Sequence, residues 1–199
     1  MTVHPILDAA GSLTAEQQQA LCDAHQRAGK IRAAARMAGF NGWVTGMFAV
    51  CSLPFAPFSL AGMVVAVGLI VVTYNEFRGR KMLLAFDPQG TRLLGWNQLG
   101  FLGLIAAYSV WMIVESLLGP GPLAAELKDH PELNSVLGST EDLQRLYQWI
   151  VLGVYGGTIL LSGIFQGLNA VYYFTRRQLL DAYLRETPPW ILQVQRAAM

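Results

Sequence analysis

The sequence predicts an all-α integral membrane protein, a four-helix bundle with both termini in the cytoplasm and an amphipathic cytoplasmic helix at the N-terminus. Three observations predict it. Of 199 residues, 53% are hydrophobic and only 14% are charged, whereas about 25% of an ordinary soluble domain is charged. Long uncharged segments alternate with short basic ones. The net charge of +1 supplies no general positive field, so we expect no nucleic-acid partner.

Residues 1–36 are expected to form a cytoplasmic tail followed by the amphipathic helix. Thr14 and Gln17 have the spacing of a capping box, in which each side chain accepts a hydrogen bond from the other residue's backbone N–H. Beyond them, apolar residues recur at helical spacing, at Leu21, Ala24, Ala28 and Ile31. We expect this helix to run on into the membrane bundle, which is predicted over 37–199.

The first two spans are predicted as a helical hairpin. No charged residue occurs between Arg36 and Glu76, and the segment 52–59 in the middle contains two prolines, which interrupt a helix. The arms are therefore expected at about 37–53 and 58–76. A full span needs about 20 residues, so the first arm is short. A re-entrant hairpin that turns inside the bilayer is the alternative to two complete crossings.

The other two spans are predicted at about 94–118 and 146–175. An Asp-Pro-Gln-Gly turn at 87–90 precedes the third span, and an acidic outer loop over 123–145 separates it from the fourth. The fourth is uncharged throughout and ends at two arginines. We expect its helix to continue into the cytoplasm until the prolines at 188–189, with a short amphipathic tail after them.

The distribution of basic residues predicts the orientation. Twelve Lys and Arg residues lie in the segments that flank the termini or join the second and third spans, and two lie in the loop between the third and fourth. Because cytoplasmic segments carry the excess of basic residues, both termini are expected inside. We expect the plasma membrane as the location, which in a bacterium is the inner membrane.

Glycines line one face of the fourth span and part of the first. Their spacing contains small-xxx-small pairs, which allow two helix backbones to approach closely. The pattern has two interpretations, packing within one bundle or contact between subunits. The residues of this predicted packing or oligomer face are Gly42, Gly46, Gly153, Gly156, Gly157, Gly163 and Gly167.

Polar residues gather in the cytoplasmic third of the spans. They are Asn41, Asn75, Glu76, Asn97, Gln98, Gln166 and Asn169. Polar groups at that depth need partners on other helices or water. The layer is interpreted as interhelical hydrogen bonds, as wetting at the headgroup level, or as a shallow cavity for a headgroup, ion or small ligand. For Glu76, an ion pair with nearby Arg78 or Arg80 is a simpler alternative.

Basic and aromatic residues surround the same end of the spans. The basic residues expected to contact lipid headgroups are Arg36, Arg78, Arg80, Lys81, Arg176 and Arg177. Such a rim is typical of ordinary membrane anchoring, and preferential contact with anionic lipid is its functional version. Membrane lipids are therefore expected partners.

No arrangement of residues in the sequence indicates catalysis or a cofactor. The three histidines are scattered, and Cys22 and Cys51 are expected on opposite sides of the membrane, so neither a metal site nor a cofactor is predicted. We expect a non-enzymatic scaffold or accessory subunit that forms a homo-oligomer or docks on a larger membrane assembly through its glycine faces. The alternative is a small channel or transporter that uses the cytoplasmic polar layer.

Overall fold

The computed structural model describes residues 14–119 and 140–197, so the predicted tail over 1–13 and most of the predicted outer loop lie outside it. The described residues are helical and contain no strand, which confirms the all-α class. The helices are α1 (Ala15–Arg27), α2 (Gly29–Ser52), a 3₁₀ helix (Leu53–Phe58), α3 (Leu60–Leu84), α4 (Gln89–Leu118), α5 (Thr140–Glu186) and α6 (Pro189–Ala197).

Three of these helices, α3, α4 and α5, are long enough and apolar enough to cross a membrane. They extend beyond the predicted spans, which contain mainly uncharged residues. The extensions include arginine and glutamine, which are good helix formers although they are too polar for the apolar part of a span. Helix α2 is not among the three. Its uncharged part covers only residues 37–52, a length of about 24 Å at 1.5 Å per residue.

The predicted capping box at the start of α1 is confirmed. The backbone N–H of Thr14 donates to Oε1 of Gln17 at 3.0 Å, and the backbone N–H of Gln17 donates to Oγ1 of Thr14 at 3.3 Å. Helix α2 follows α1 after a single residue, Ala28, which is fully buried. The predicted apolar face of this segment, which includes Ala24, Ala28 and Ile31, therefore packs inward.

Helices α2 and α3 pack closely because glycines of α2 face α3. A methyl group added at Gly42 would lie 3.2 Å from Cβ of Glu76, and one added at Gly46 would lie 3.2 Å from Cγ2 of Thr73. The two helices are joined by the 3₁₀ helix, which contains both prolines of the predicted break. Ser59 then caps α3 by accepting a hydrogen bond at Oγ from the backbone N–H of Gly62 at 2.9 Å.

The turn between α3 and α4 is built around Phe86, whose φ of 57° is left-handed. The N–H of Phe86 donates to the carbonyl of Leu83 at 3.1 Å, and the N–H of Asp87 donates to that of Met82 at 2.9 Å. This is a Schellman ending, in which glycine normally occupies the left-handed position. Phe86 is instead buried, with its ring centroid 5.2 Å from that of Tyr183.

The main buried cluster lies at one end of the helices, where α1, the α3–α4 turn and α6 meet. We call this the basic end, because Arg36, Arg80 and Arg176 also lie there. Helix α6 is held to it by two hydrogen bonds, from Tyr183 Oη to Gln195 Oε1 at 2.6 Å and from Arg196 Nε to the Ala85 carbonyl at 3.1 Å. The cluster comprises Ala24, Ala28, Ile31, Ala34, Ala35, Ala38, Leu83, Phe86, Leu94, Tyr173, Leu180, Tyr183 and Ile191.

The long helices form two well-packed pairs, α2 with α3 and α4 with α5, and the two pairs are joined by contact between α3 and α4. In the second pair the rings of Tyr108 and Tyr155 meet edge to face with centroids 6.1 Å apart. Helices α2 and α5 contact each other much less than the helices of these neighbouring pairs do. A cleft therefore separates α2 from α5.

Candidate functional site

Glu76 is the centre of a hydrogen-bond network between α3 and α4. Its side chain is fully buried, because it shares the inward face of α3 with Val72 one turn earlier. Oε1 of Glu76 accepts two hydrogen bonds at 2.8 Å, from Nδ2 of Asn97 and from Nε2 of Gln98. Asn97 also donates from Nδ2 to the Val72 carbonyl at 3.0 Å and accepts at Oδ1 from Nδ2 of Asn75 at 3.2 Å. Four of the seven predicted polar residues are thus connected.

The second carboxyl oxygen of Glu76, Oε2, is buried and has no hydrogen-bond partner among the described residues. Within this part of the chain no Lys or Arg nitrogen lies within 4.0 Å of the carboxyl, and Arg78 and Arg80 are both exposed. The ion pair suggested as an alternative is therefore wrong in this structure. Oγ1 of Thr73, one turn earlier on α3, is also buried and unpartnered.

The remaining predicted polar residues lie outside this network. Nδ2 of Asn41 donates to the hydroxyl of Tyr173 at 3.4 Å, which links α2 to α5. Gln166 and Asn169 are half-buried on α5 and make no side-chain hydrogen bond to the residues that the structure describes. Tyr173 lies among the aromatic residues at the cytoplasmic end of the predicted spans, yet it is fully buried in the core. Only its spacing of seven residues from Leu180, also buried, would have indicated an inward position.

The glycines of α5 do not pack against another helix in the part of the chain that the structure describes. At Gly153, Gly156, Gly157, Gly163 and Gly167, an added methyl group would meet no atom of another helix within 4 Å in the described structure. Packing inside one bundle is therefore wrong as the explanation of this face, although it holds for Gly42 and Gly46 of α2. Close approach in the chain uses other glycines as well. A methyl group at Gly95 of α4, for example, would lie 2.5 Å from the ring of Phe174.

The cleft between α2 and α5 is a separate feature at the basic end. It has a volume of about 610 Å³. Its walls are mostly apolar, and next to it the guanidinium of Arg176 lies over the ring of Tyr172, 4.4 Å from the centroid. The residues that line it are Ala33, Arg36, Met37, Phe40, Leu168, Asn169 and Tyr172.

Most of the predicted headgroup-contact residues are exposed at the basic end. Arg36, Arg78, Arg80, Lys81 and Arg177 are exposed and Arg176 is half-buried. The aliphatic part of Arg80 covers Gly39 of α2, where an added methyl group would lie 3.1 Å from Cδ. Arg177 pairs with Asp181 on the same helix, with Nε 3.7 Å from Oδ2. The other basic side chains are therefore arranged around the end of the helices rather than gathered in one site.

The described residues contain no group of three or more His, Cys, Asp or Glu side chains that would hold a metal ion. Three features stand out among the described residues: a buried carboxyl with one oxygen that has no hydrogen-bond partner, a glycine face that meets no other helix, and a mostly apolar cleft that includes Arg36. Comparison with known proteins adds no identification, since no family model, curated protein or solved structure matches the chain.

Proposed function

We propose that this chain is a non-enzymatic membrane scaffold or accessory subunit, a four-span bundle that associates with a second copy of itself through the glycine face of α5. One observation carries the proposal, the empty space at all five glycines of that face. The twelve basic residues on one side against two on the other support an orientation with both termini in the cytoplasm. The same bias supports a plasma-membrane location.

The geometry of α5 favours contact with another helix. Gly153 with Gly157, and Gly163 with Gly167, are two small-xxx-small pairs along one face, and the face spans about 21 Å at 1.5 Å per residue. Lipid chains fill such a groove less well than a second helix backbone does, and close contact between backbones is what drives helix association in membranes. A second α5 brings the same face, so a two-fold dimer satisfies both chains.

The test compares leucine substitutions at three glycines, two with open space around them and one packed against another helix. Gly157→Leu on α5 is expected to weaken dimerisation in lipid vesicles at least about tenfold, the effect of about 1.4 kcal/mol, and to leave the fold intact. Gly103→Leu is the matched control, since Gly103 of α4 is also empty, and we expect it to change dimerisation little. Gly42→Leu is expected to disrupt the fold, because Glu76 and Phe77 leave no room there.

The readout is energy transfer between singly labelled copies, measured as a function of protein density in the membrane. If Gly103→Leu weakened dimerisation as much as Gly157→Leu, the assignment to α5 would fail. If the wild-type chain stayed monomeric at every density and Gly157→Leu left the recovery of every co-purifying membrane protein unchanged, the scaffold proposal would fail as a whole.

A second candidate function, a small channel or transporter, rests on the unpartnered Oε2 of buried Glu76. Ionisable residues within apolar membrane helices often mark ion or substrate pathways. The test is flux into liposomes by the wild type and by Glu76→Gln, Asn97→Ala and Gln166→Ala. Absence of flux in the wild type, or flux unaffected by all three substitutions, would exclude this function.

A further inference from the structure

We propose that the cleft between α2 and α5 is a binding site for one anionic phospholipid, with the phosphate at Arg36 and an acyl chain along the apolar wall. The proposal does not depend on dimerisation, since the site is formed within one chain. It rests on the cleft's shape, the composition of its lining, and Nε of Arg176 beside the cleft, which is buried without a hydrogen-bond partner among the described residues.

The apolar part of the cleft suits a hydrocarbon chain. Met37 and Phe40 of α2 form one wall, and Leu168 of α5 forms part of the other. Phe40 is 65% exposed and Leu168 is 66% exposed, so the cleft is open sideways between two apolar helices. A lipid can therefore enter it from the bilayer without crossing a polar surface.

The basic part of the cleft suits a phosphate. Among the residues that the structure describes, Arg36 is the only charged one in the lining, and none of the lining residues is acidic. Nε of Arg176, whose guanidinium stacks on Tyr172 beside the cleft, is buried and has no hydrogen-bond partner in the described residues. Arg36 likewise has no ion-pair partner in the described part of the chain. Arginine N–H groups bind phosphate oxygens through charge-assisted hydrogen bonds.

Because the basic and apolar parts of the cleft lie side by side, the cleft suits a phospholipid better than free phosphate. Arg36 is followed directly by Met37 on α2, so the basic and apolar parts are continuous along one helix. Half-buried Asn169 on the opposite wall makes no side-chain hydrogen bond to a described residue, and it is available to the glycerol or ester oxygens. Free phosphate would use only the basic part and leave the apolar walls uncovered.

The experiment measures lipid binding to the purified full-length chain in mild detergent by native mass spectrometry. Phosphatidylglycerol is expected to bind as a single tight adduct, at least about tenfold tighter than phosphatidylcholine. Arg36→Gln and Arg176→Gln are each expected to weaken the binding of phosphatidylglycerol about tenfold. Ala33→Phe fills the cleft without changing charge and is expected to abolish the adduct.

Lys81→Gln is the matched control, because Lys81 is an exposed basic residue at the same end but does not line the cleft. It is expected to change binding by less than about twofold. Four results would overturn the proposal: equal binding of the two lipids, equal weakening by Lys81→Gln and Arg36→Gln, no effect of Ala33→Phe, or competition by inorganic phosphate at concentrations similar to those of the lipid.

Discussion

Replacing Asn97 with leucine is expected to destabilise the helix assembly more than replacing either of the other two amides of the polar network, Asn75 and Gln98. The side chain makes three hydrogen bonds, to Glu76, to the Val72 carbonyl and from Asn75. Interhelical hydrogen bonds in membranes average about 0.6 kcal/mol, which gives about 2 kcal/mol for three. A hydrogen bond to a charged group contributes about 1.5–3 kcal/mol, which raises the total to about 3–4 kcal/mol when Glu76 is ionised.

The assay is the free energy of unfolding in mixed micelles. Two neighbours serve as controls, because each donates only one hydrogen bond to the network. Gln98→Leu removes a donor to Oε1 of Glu76 and is expected to have an intermediate effect, while Asn75→Leu removes one amide–amide bond and is expected to cost about 0.6 kcal/mol. If Asn97→Leu destabilised no more than Asn75→Leu, the network would not contribute to stability as argued here.

Three further predictions concern the basic end. Phe86 has a left-handed backbone, so the Phe86→Gly variant is expected to be about 1 kcal/mol more stable than Phe86→Ala. Leu83 is helical, so Leu83→Ala is expected to be more stable than Leu83→Gly by a similar amount. Thermal unfolding of the four variants measures the two differences. Gln195→Leu removes the acceptor of the Tyr183 hydroxyl, and we expect a loss of about 1–3 kcal/mol and faster proteolysis of α6. Thr14→Ala is expected to cost about 1 kcal/mol and to speed hydrogen exchange in the first turn of α1.

Local patterns in the sequence predicted the local structure well. The capping box, the break at the two prolines and the turn before α4 each depend on residues within a few positions of one another. Helix α4 nevertheless begins at Gln89, inside the predicted turn, because residues 85–88 already reverse the chain. The turn relies on a left-handed phenylalanine, and no sequence rule points to this residue where glycine is the usual choice.

The candidate site was only partly predictable, because its partners are remote in the sequence. The shared depth of Asn75, Glu76, Asn97 and Gln98 was visible, but their pairing depends on which helices are neighbours. The alternative interpretation, an ion pair, relied on arginines that are close to Glu76 along the chain. In the structure Arg78 is exposed while Glu76 is buried against α4, since two helical steps rotate a side chain by about 200°.

The glycine pattern also could not show which helices are neighbours. Spacing identified a small-residue face on α5 and another on α2, and nothing in the spacing distinguished them. The structure separates them by what faces each one: Gly42 faces α3, whereas a methyl group added at Gly157 would meet no atom of another described helix within 4 Å. Which helix surfaces meet is a property of the assembled chain, and a periodic pattern carries no information about it.

The buried cluster at the basic end has a consequence for biosynthesis. It brings Ala24 and Ile31, from α1 and α2, together with Leu180 and Ile191, from α5 and α6. The cluster is therefore incomplete until residue 191 has been synthesised, long after α3 and α4 are available for membrane insertion. During that interval the apolar face of α1 and α2 lacks part of its native cover, and this end of the molecule completes its fold only after α6 has been translated.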